Sequence, residues 1–145
     1  MQTETYLKQG LLLDKRINYH LKRLEDLRAD VCNISAPAIG KEKVKTSPSG
    51  DAPFVKALMR VEDMQQQINH EIDILVNLKE QINTVIQQAD REEFRMLLTF
   101  KYLEGMTSEQ ISRMFNVTRS TITRWHREAI DQIKLPENPI VTRIW

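Results

Sequence analysis

The sequence predicts an all-α protein in which a long, coiled-coil-like antiparallel helical hairpin precedes a C-terminal three-helix helix-turn-helix module. Three observations support this fold class. Leu, Ile, Gln, Glu and Lys are frequent, whereas the chain has only 4 Gly and 6% aromatic residues in 145, a composition that favours helices. The N-terminal part carries two long apolar stripes at heptad-like spacing. After Asp90 the pattern changes to short helical segments with start and stop signals.

The apolar stripes of the predicted hairpin lie within residues 1–89. The first stripe, in residues 6–31, consists of Leu13, Ile17, His20, Leu24, Leu27 and Val31. The second stripe, in residues 55–89, consists of Val61, Met64, Ile68, Ile72, Leu75, Leu78, Ile82 and Ile86. A helix of that length would extend for roughly 50 Å at about 1.5 Å per residue, and it cannot bury its own stripe. We therefore expect the two helices to pair antiparallel along one seam.

The two stripes are separated by residues 33–53, which include the segment SAPAIGKEKVKTSPSGDAP. This segment is polar, contains Gly and Pro, and has no periodicity, which predicts a flexible linker. Lys41, Lys43 and Lys45 lie within it. Two roles stay open for these lysines, contact with phosphate or simple solvation, and solvation is the more common one.

The apolar band of the second helix widens at residues 72–78, where Ile74 and Val76 join it. One partner helix would not cover this width. The band is covered either by a second copy of the chain or by the C-terminal module. In the first case the protein is a homodimer or a higher homo-oligomer, and the interface comprises Ile68, Ile72, Ile74, Leu75, Val76 and Leu78.

Residues 90–134 are predicted to form the helix-turn-helix module, and residues 135–145 a C-terminal tail. Asp90, followed by an acid three residues later, is the predicted N-cap of the first short helix. This helix ends before Gly105, and its apolar residues are Phe94, Leu97, Leu98, Tyr102 and Leu103.

The second and third short helices have their own start signals. Thr107 with Gln110 forms a predicted capping box, and the buried face that follows is Ile111, Met114 and Phe115. Asn116 tolerates the left-handed conformation that a helix end needs. Thr118 then follows as the predicted cap of the third helix.

The third helix has an apolar side and a basic side when residues 119–134 are placed on a helical wheel. Ile122, Trp125, Ala129 and Ile133 are expected to pack on Leu98, Ile111 and Phe115. In a helix-turn-helix, the second helix enters the major groove N-terminus first. We therefore expect double-stranded DNA as the partner, contacted by Thr118, Arg119, Ser120, Thr121, Thr123, Arg124, His126 and Arg127. The alternative is an amphipathic helix with a solvated basic face.

The basic charge of the chain is local. The net charge is only +1. Residues 107–134 contain five bases and three acids, whereas residues 54–90 contain three bases and six acids. This distribution indicates a confined binding face rather than a wholly basic surface.

The segment EEFRMLLTFKYLEGMTSEQISRMFNVTRSTITRWHREAI resembles region four of bacterial sigma factors. The resemblance lies in residues 102–105, 107–112 and 118–122, although Asn116 replaces the usual turn glycine. The chain as a whole is similar to ArpU- and RinA-like regulators of phages and prophages in Gram-positive bacteria. This resemblance implies control of transcription, often of late or packaging genes. The N-terminal part does not resemble the promoter-opening part of a sigma factor, which argues against a complete sigma factor.

Other functional classes have less support in the sequence. His20, His70 and His126 are far apart and lack the ligand spacing of a metal site, and no glycine-rich phosphate loop is present. We therefore expect no enzyme activity, cofactor or metal. A single cysteine, Cys32, and no signal peptide or long apolar run predict a soluble protein in the cytoplasm of a bacterial host, without a membrane partner. Two alternative functions remain open, a small-terminase-like DNA-packaging subunit and a sigma-like adaptor that binds RNA polymerase.

Overall fold

The computed structural model describes residues 1–40 and 48–143, and only the backbone of residues 35–40 and 48–52. In these ranges every regular element is a helix, which confirms the all-α fold class. The helices are α1 (Thr3–Gly40), α2 (Pro48–Ile86), α3 (Glu92–Tyr102), α4 (Ser108–Phe115) and α5 (Arg119–Gln132). Within the described ranges, no helix combines the length and the apolar character needed to cross a membrane.

Both long helices extend into the predicted linker. α1 ends at Gly40 and α2 begins at Pro48, so most of residues 33–53 is helical and the linker prediction was too long. A proline is well tolerated at the start of a helix because the N–H that it lacks would have no intrahelical acceptor. Pro48 therefore does not exclude a helix there, whereas Pro53 lies inside α2. Lys41, Lys43 and Lys45 lie outside the described residues.

The chain forms two compact units. The first unit comprises Met1–Lys15 and Ile74–Trp145, and the second comprises Arg16–Asp73. The domain boundary predicted between residues 89 and 90 falls inside the first unit. The three short helices therefore share a unit with the first turns of α1 and the last turns of α2.

In the second unit, α1 and α2 run antiparallel. The Arg28 Nη2 donates to Gln65 Oε1 at 2.9 Å, and His20 Nδ1, earlier in α1, lies 3.0 Å from Glu71 Oε2, later in α2. The residue numbers thus rise on one helix as they fall on the other. Buried side chains of this seam are Ile17, Leu24 and Ile68.

The seam contains a carboxylate where the sequence predicted an isoleucine. Glu71 is 6% exposed and lies between Arg16, whose Nε is 3.5 Å from Oε1, and His20. Ile72 is 39% exposed, so its placement in the seam was wrong. The spacing from Ile68 to Leu75 is one heptad, and the intermediate seam position three residues after Ile68 belongs to residue 71.

The burial of α2 also changes the predicted interface. Ile68, Leu75 and Leu78 are buried within the chain, and they are therefore unavailable to a second copy in this structure. The sequence pattern does not distinguish a seam within the chain from an interface between chains, because both consist of apolar positions. Val76 is 51% exposed, and Ile72, one turn earlier on α2, is 39% exposed.

In the first unit, α1 packs closely on the end of α3. A Cβ on Gly10 would lie 3.3 Å from Ile82 Cδ1 and 3.8 Å from the Tyr102 carbonyl oxygen. Gly105, which has φ +74°, lies against Leu11, since its Cβ would be 3.3 Å from Leu11 Cδ2. The first turns of α1 therefore form part of the support beneath the short helices.

The predicted C-terminal tail is attached to the same unit. Three glutamines each donate to a carbonyl and accept from an N–H of residues 133–142, which we call the C-terminal strap. Gln9 bonds Ile140 O and Thr142 N, Gln81 bonds Asn138 O and Ile140 N, and Gln88 bonds both backbone groups of Lys134. Gln81 also accepts from the Tyr6 hydroxyl at 2.6 Å, and burial raises the pKa of Tyr6 to about 12.

Candidate DNA-binding surface

The turn between α4 and α5 has the predicted local geometry. Gln110 N–H donates to Thr107 Oγ1 at 3.2 Å and Thr107 N–H donates to Gln110 Oε1 at 2.9 Å, which confirms the capping box. Asn116 adopts the left-handed conformation with φ 56°. Thr118 Oγ1 accepts from Thr121 N–H at 3.2 Å and caps α5. Residues 116–118 therefore join the two helices of a helix-turn-helix.

The start of α3 differs from the prediction. Its N-cap is Arg91, without a side-chain cap, and not Asp90. Asp90 instead donates its N–H to Gln132 Oε1 at 3.0 Å, so it is bonded to the end of α5. The Arg91 guanidinium lies over the rings of Phe94 and Trp125, at 4.9 and 5.8 Å from their centroids. An aromatic stack at Arg91 therefore lies where the sequence indicated an acidic cap.

A buried apolar core fixes the orientation of α5. Its fully buried members are Leu97, Ile111 and Ile122, and partly buried side chains packed against them are Phe100, Met106, Phe115, Val117 and Trp125. Trp125 meets Phe115 edge to face, with ring centroids 5.8 Å apart.

Two details of the predicted core were wrong. Leu97 rather than Leu98 belongs to this cluster, although both are buried. Met114 is 54% exposed, and Ser112 takes a buried position on α4. Both errors are offsets around the helix, since apolar residue type alone defines a helix face only within about one residue.

The basic side of α5 faces solvent. Its exposed residues, together with the cap before it, are Thr118, Arg119, Ser120, Thr123, Arg124 and Arg127. Within the described part of the chain, none of the three arginines of α5 takes part in an ion pair, whereas Arg113 on α4 pairs with Glu109 at 2.8 Å. Thr121 is half-buried, and its hydroxyl lies 2.9 Å from that of Thr118. The exposed arginines, without ion pairs among the described residues, therefore lie on one side of a helix whose start is capped.

His126 is the one predicted contact residue that points away from this face. Its Nε2 lies 2.6 Å from the hydroxyl of buried Tyr102. Burial lowers the pKa of His126 and raises that of Tyr102, so a neutral imidazole and a neutral phenol share this hydrogen bond. The expected position at the helix edge near phosphate is therefore corrected. Its spacing, four residues after Ile122 and three before Ala129, is the signal that could have placed it on the apolar side.

Other groups of this surface have weaker signals in the sequence. The stack of Arg91 on Trp125 and the bond from Asp90 to Gln132 join residues more than thirty positions apart. Thr123 donates its hydroxyl to Arg119 O at 3.1 Å, within α5. Helix periodicity indicates the bond from Thr123 to Arg119, but it does not indicate the contacts of Arg91 and Asp90.

Comparison with known families also indicates a helix-turn-helix in the C-terminal part of the chain. Residues 75–135 match the family model "Sigma-70, region 4", which covers less than half of the chain. The match includes the end of α2, all of α3, α4 and α5, and the beginning of the strap. No curated protein and no solved structure matches the chain. The C-terminal part of this protein is therefore similar to region 4 of sigma-70 factors, a DNA-binding helix-turn-helix.

Proposed function

We propose that the protein is a sequence-specific transcriptional regulator that inserts α5 into the major groove of double-stranded DNA. The supporting observation is the exposed basic face formed by Arg119, Arg124 and Arg127 on a capped second helix, where these arginines have no ion-pair partner among the described residues. The N-terminal residues of such a helix meet base edges in helix-turn-helix proteins. The likeness of residues 75–135 to sigma-70 region 4 adds independent support.

The residues of the face have different proposed roles. Arg124, two residues beyond Ile122 on the exposed side, is the proposed base-reading residue, because a guanidinium donates two parallel hydrogen bonds to guanine O6 and N7. Arg119 and Arg127 contact phosphates beside the groove. Thr118, Ser120, Thr121 and Thr123 provide hydroxyls for phosphates or base edges.

The proposed target is a phage promoter. The resemblance to ArpU- and RinA-like regulators supports a phage-encoded protein that acts on late or packaging genes. The similarity to sigma-70 region 4 also supports RNA polymerase as a second partner.

The first experiment selects a binding site from randomised duplexes and measures the affinity of wild type and Arg124→Ala for that site and for random DNA. We expect Arg124→Ala to weaken specific binding by about 1–3 kcal/mol and to relax preference at one base pair. Arg23→Ala, an exposed arginine of the second unit, is the charge-matched control. Equal losses on both duplexes would reassign Arg124 to phosphate, and a wild type without any sequence preference would contradict the proposed function.

The phosphate contacts are tested by salt dependence. Arg119→Ala and Arg127→Ala should each reduce the slope of log affinity against log salt by about one. The same fractional loss is expected on every sequence. An unchanged slope would show that the arginine does not contact phosphate.

We also propose that the protein acts as a homodimer, because one small DNA-binding module rarely reaches useful genomic specificity. Ile72 and Val76 lie one turn apart on α2 and are both exposed. They remain the interface residues best placed for a second copy, whereas Ile74 is half-buried. Replacing both by Lys should give a folded monomer with weaker DNA binding, and Gln66→Lys is the exposed control on the same helix.

Sedimentation measures the outcome of this change. A wild type that sediments as a monomer at micromolar concentration contradicts the dimer. A ring of eight or more subunits would instead favour the DNA-packaging alternative. Binding to RNA polymerase without retention on promoter DNA would favour the adaptor.

A further inference from the structure

The C-terminal end of α5 is held by amide groups. Gln88 Nε2 donates to the Lys134 carbonyl at 2.9 Å, and Lys134 N–H donates back to Gln88 Oε1 at 3.3 Å. Ile133, the residue before Lys134, is the C-cap of α5. This reciprocal pair therefore fixes the backbone immediately after the helix.

A second bond fixes the same end of the helix. Gln132, the last residue of α5, accepts from Asp90 N–H at 3.0 Å. Asp90 and Gln88 both belong to the short connection between α2 and α3. The end of α5 is thus bonded twice to that connection.

The rest of the strap continues this attachment along the first unit. Gln81 is bonded to Asn138 and Ile140, and buried Gln9 is bonded to Ile140 and Thr142. The backbone that leaves α5 is therefore held at successive points on α2 and α1. Since Gln88 is the first of these points after the helix, it has the most direct effect on α5.

We propose that Gln88 is a positioning residue that sets the direction in which α5 presents its basic face to DNA. This inference rests on the proposed function. α5 has 14 residues and extends for about 20 Å at about 1.5 Å per residue, so a tilt of about 10° displaces one end by roughly 3–4 Å. Recognition groups need to be held within about 0.5 Å and 10–20° of their productive geometry.

The amide chemistry of Gln88 allows a graded test. Gln88→Glu keeps an acceptor for Lys134 N–H but loses the donor to the Lys134 carbonyl, while Gln88→Leu loses both. Gln66→Leu is the matched control, because Gln66 is exposed on α2 and has no hydrogen-bond partner among the described residues. The affinity of each variant is measured on the selected duplex and on random DNA, together with the thermal midpoint.

We expect Gln88→Leu to reduce the preference for the selected duplex by about three- to tenfold, the equivalent of roughly one net hydrogen bond. Gln88→Glu should lie between Gln88→Leu and the wild type, and Gln66→Leu should match the wild type. Affinity for random DNA should change little in Gln88→Leu and Gln66→Leu, because neither change alters the charge on which non-specific binding depends. The negative charge of Gln88→Glu weakens binding to both duplexes, so for that variant only the ratio of the two affinities is compared. Unchanged preference, or equal losses on both duplexes, would overturn the positioning role.

Hydrogen exchange provides a readout that does not require DNA. In Gln88→Leu, the amides of residues 130–133 should exchange about three- to tenfold faster than in the wild type and in Gln66→Leu. Unchanged exchange would overturn the proposal even if DNA binding fell. Conversely, faster exchange in a protein that shows no sequence preference would contradict the proposed function and leave Gln88 as the residue that holds α5.

Discussion

The seam of the second unit and the core of the helix-turn-helix bury their side chains in different ways. The seam places the carboxylate of Glu71 between Arg16 and His20, whereas the core around Ile122 is apolar and aromatic. Two long helices with a repeating stripe can pair in several shifted registers of similar energy. Short helices with capped ends and a non-repeating core have no such freedom.

This difference indicates what each region needs from its polar groups. We interpret Glu71 as a mark of register, because a shift of one heptad would bury the carboxylate without its two partners. In the helix-turn-helix the polar groups lie at helix ends instead, where Thr107 and Thr118 satisfy backbone N–H groups. The register of two helices with a repeating apolar stripe is thus set by a polar position in the seam, whereas the short helices are defined by the caps at their ends.

The largest effect is expected from substitutions that disrupt the apolar core of the helix-turn-helix. Ile122→Ala should reduce the free energy of unfolding by about 2–5 kcal/mol, because Ile122 is buried against Leu97 and Ile111. Trp125→Ala should also lower the thermal midpoint. Met114→Ala, at an exposed site on α4, is the control and should have little effect. Urea denaturation checks the ranking, and a Trp125→Ala protein that keeps its thermal midpoint and loses only DNA affinity would contradict the core assignment.

The next largest effect is expected in the seam. Glu71→Ala should reduce the free energy of unfolding by about 1–3 kcal/mol, because Arg16 and His20 lose their carboxylate partner in a partly buried site. Glu71→Leu should cost less, since an apolar side chain suits the buried position. Denaturation followed by circular dichroism measures both variants. If Glu71→Leu were the more destabilised protein, the carboxylate would contribute stability beyond the marking of register.

A smaller effect is expected at the helix ends. Thr107→Ala and Thr118→Ala should each reduce the free energy of unfolding by about 0.5–2 kcal/mol, because each change removes the acceptor for a backbone N–H. Thr123→Ala is the matched control, because its hydroxyl bonds a carbonyl within α5 and caps nothing. Thermal denaturation compares the three. Equal stability of all three variants would show that the ends of α4 and α5 are held by packing alone.

The smallest expected effect concerns pH and the bond between His126 and Tyr102. Burial lowers the pKa of His126 from its ordinary value of 6.5, so the unfolded chain binds the proton at a higher pH than the folded protein. Its contribution to stability is therefore complete above pH 6.5 and declines as the pH falls below that value. His126→Gln should remove this part of the pH dependence. Thermal midpoints at about pH 8 and pH 5.5 test it, and a smaller decline in the wild type than in the variant would contradict the assignment.

The features that the sequence predicted well have partners close along the chain. Thr107, Asn116 and Thr118 bond to groups within four residues of themselves, so the residue types and their spacing define the geometry. The exposed face with Arg124 follows in the same way from helix periodicity. The exchange of Ile72 for Glu71 shows where this approach fails, because apolar character was preferred over heptad position.

The attachment of the strap could not be predicted in this way. Its glutamines bond residues that are 46 to 133 positions away. Glutamine is common on the exposed faces of helices, and a backbone acceptor carries no side-chain signature. The bond from Tyr102 to His126 has the same origin, since it depends on how α3 and α5 pack.

The pairing of Gln9 with Thr142 also has a consequence for synthesis on the ribosome. The two residues are 133 positions apart, and at about 5–20 residues per second roughly 7–27 s separate their addition to the chain. Until α2 has been synthesised, Tyr6 and Leu7, which are fully buried in the folded protein, lack the helix that carries Gln81, the hydrogen-bond partner of Tyr6. Stalled or prematurely terminated chains would therefore expose these apolar side chains to proteases and chaperones.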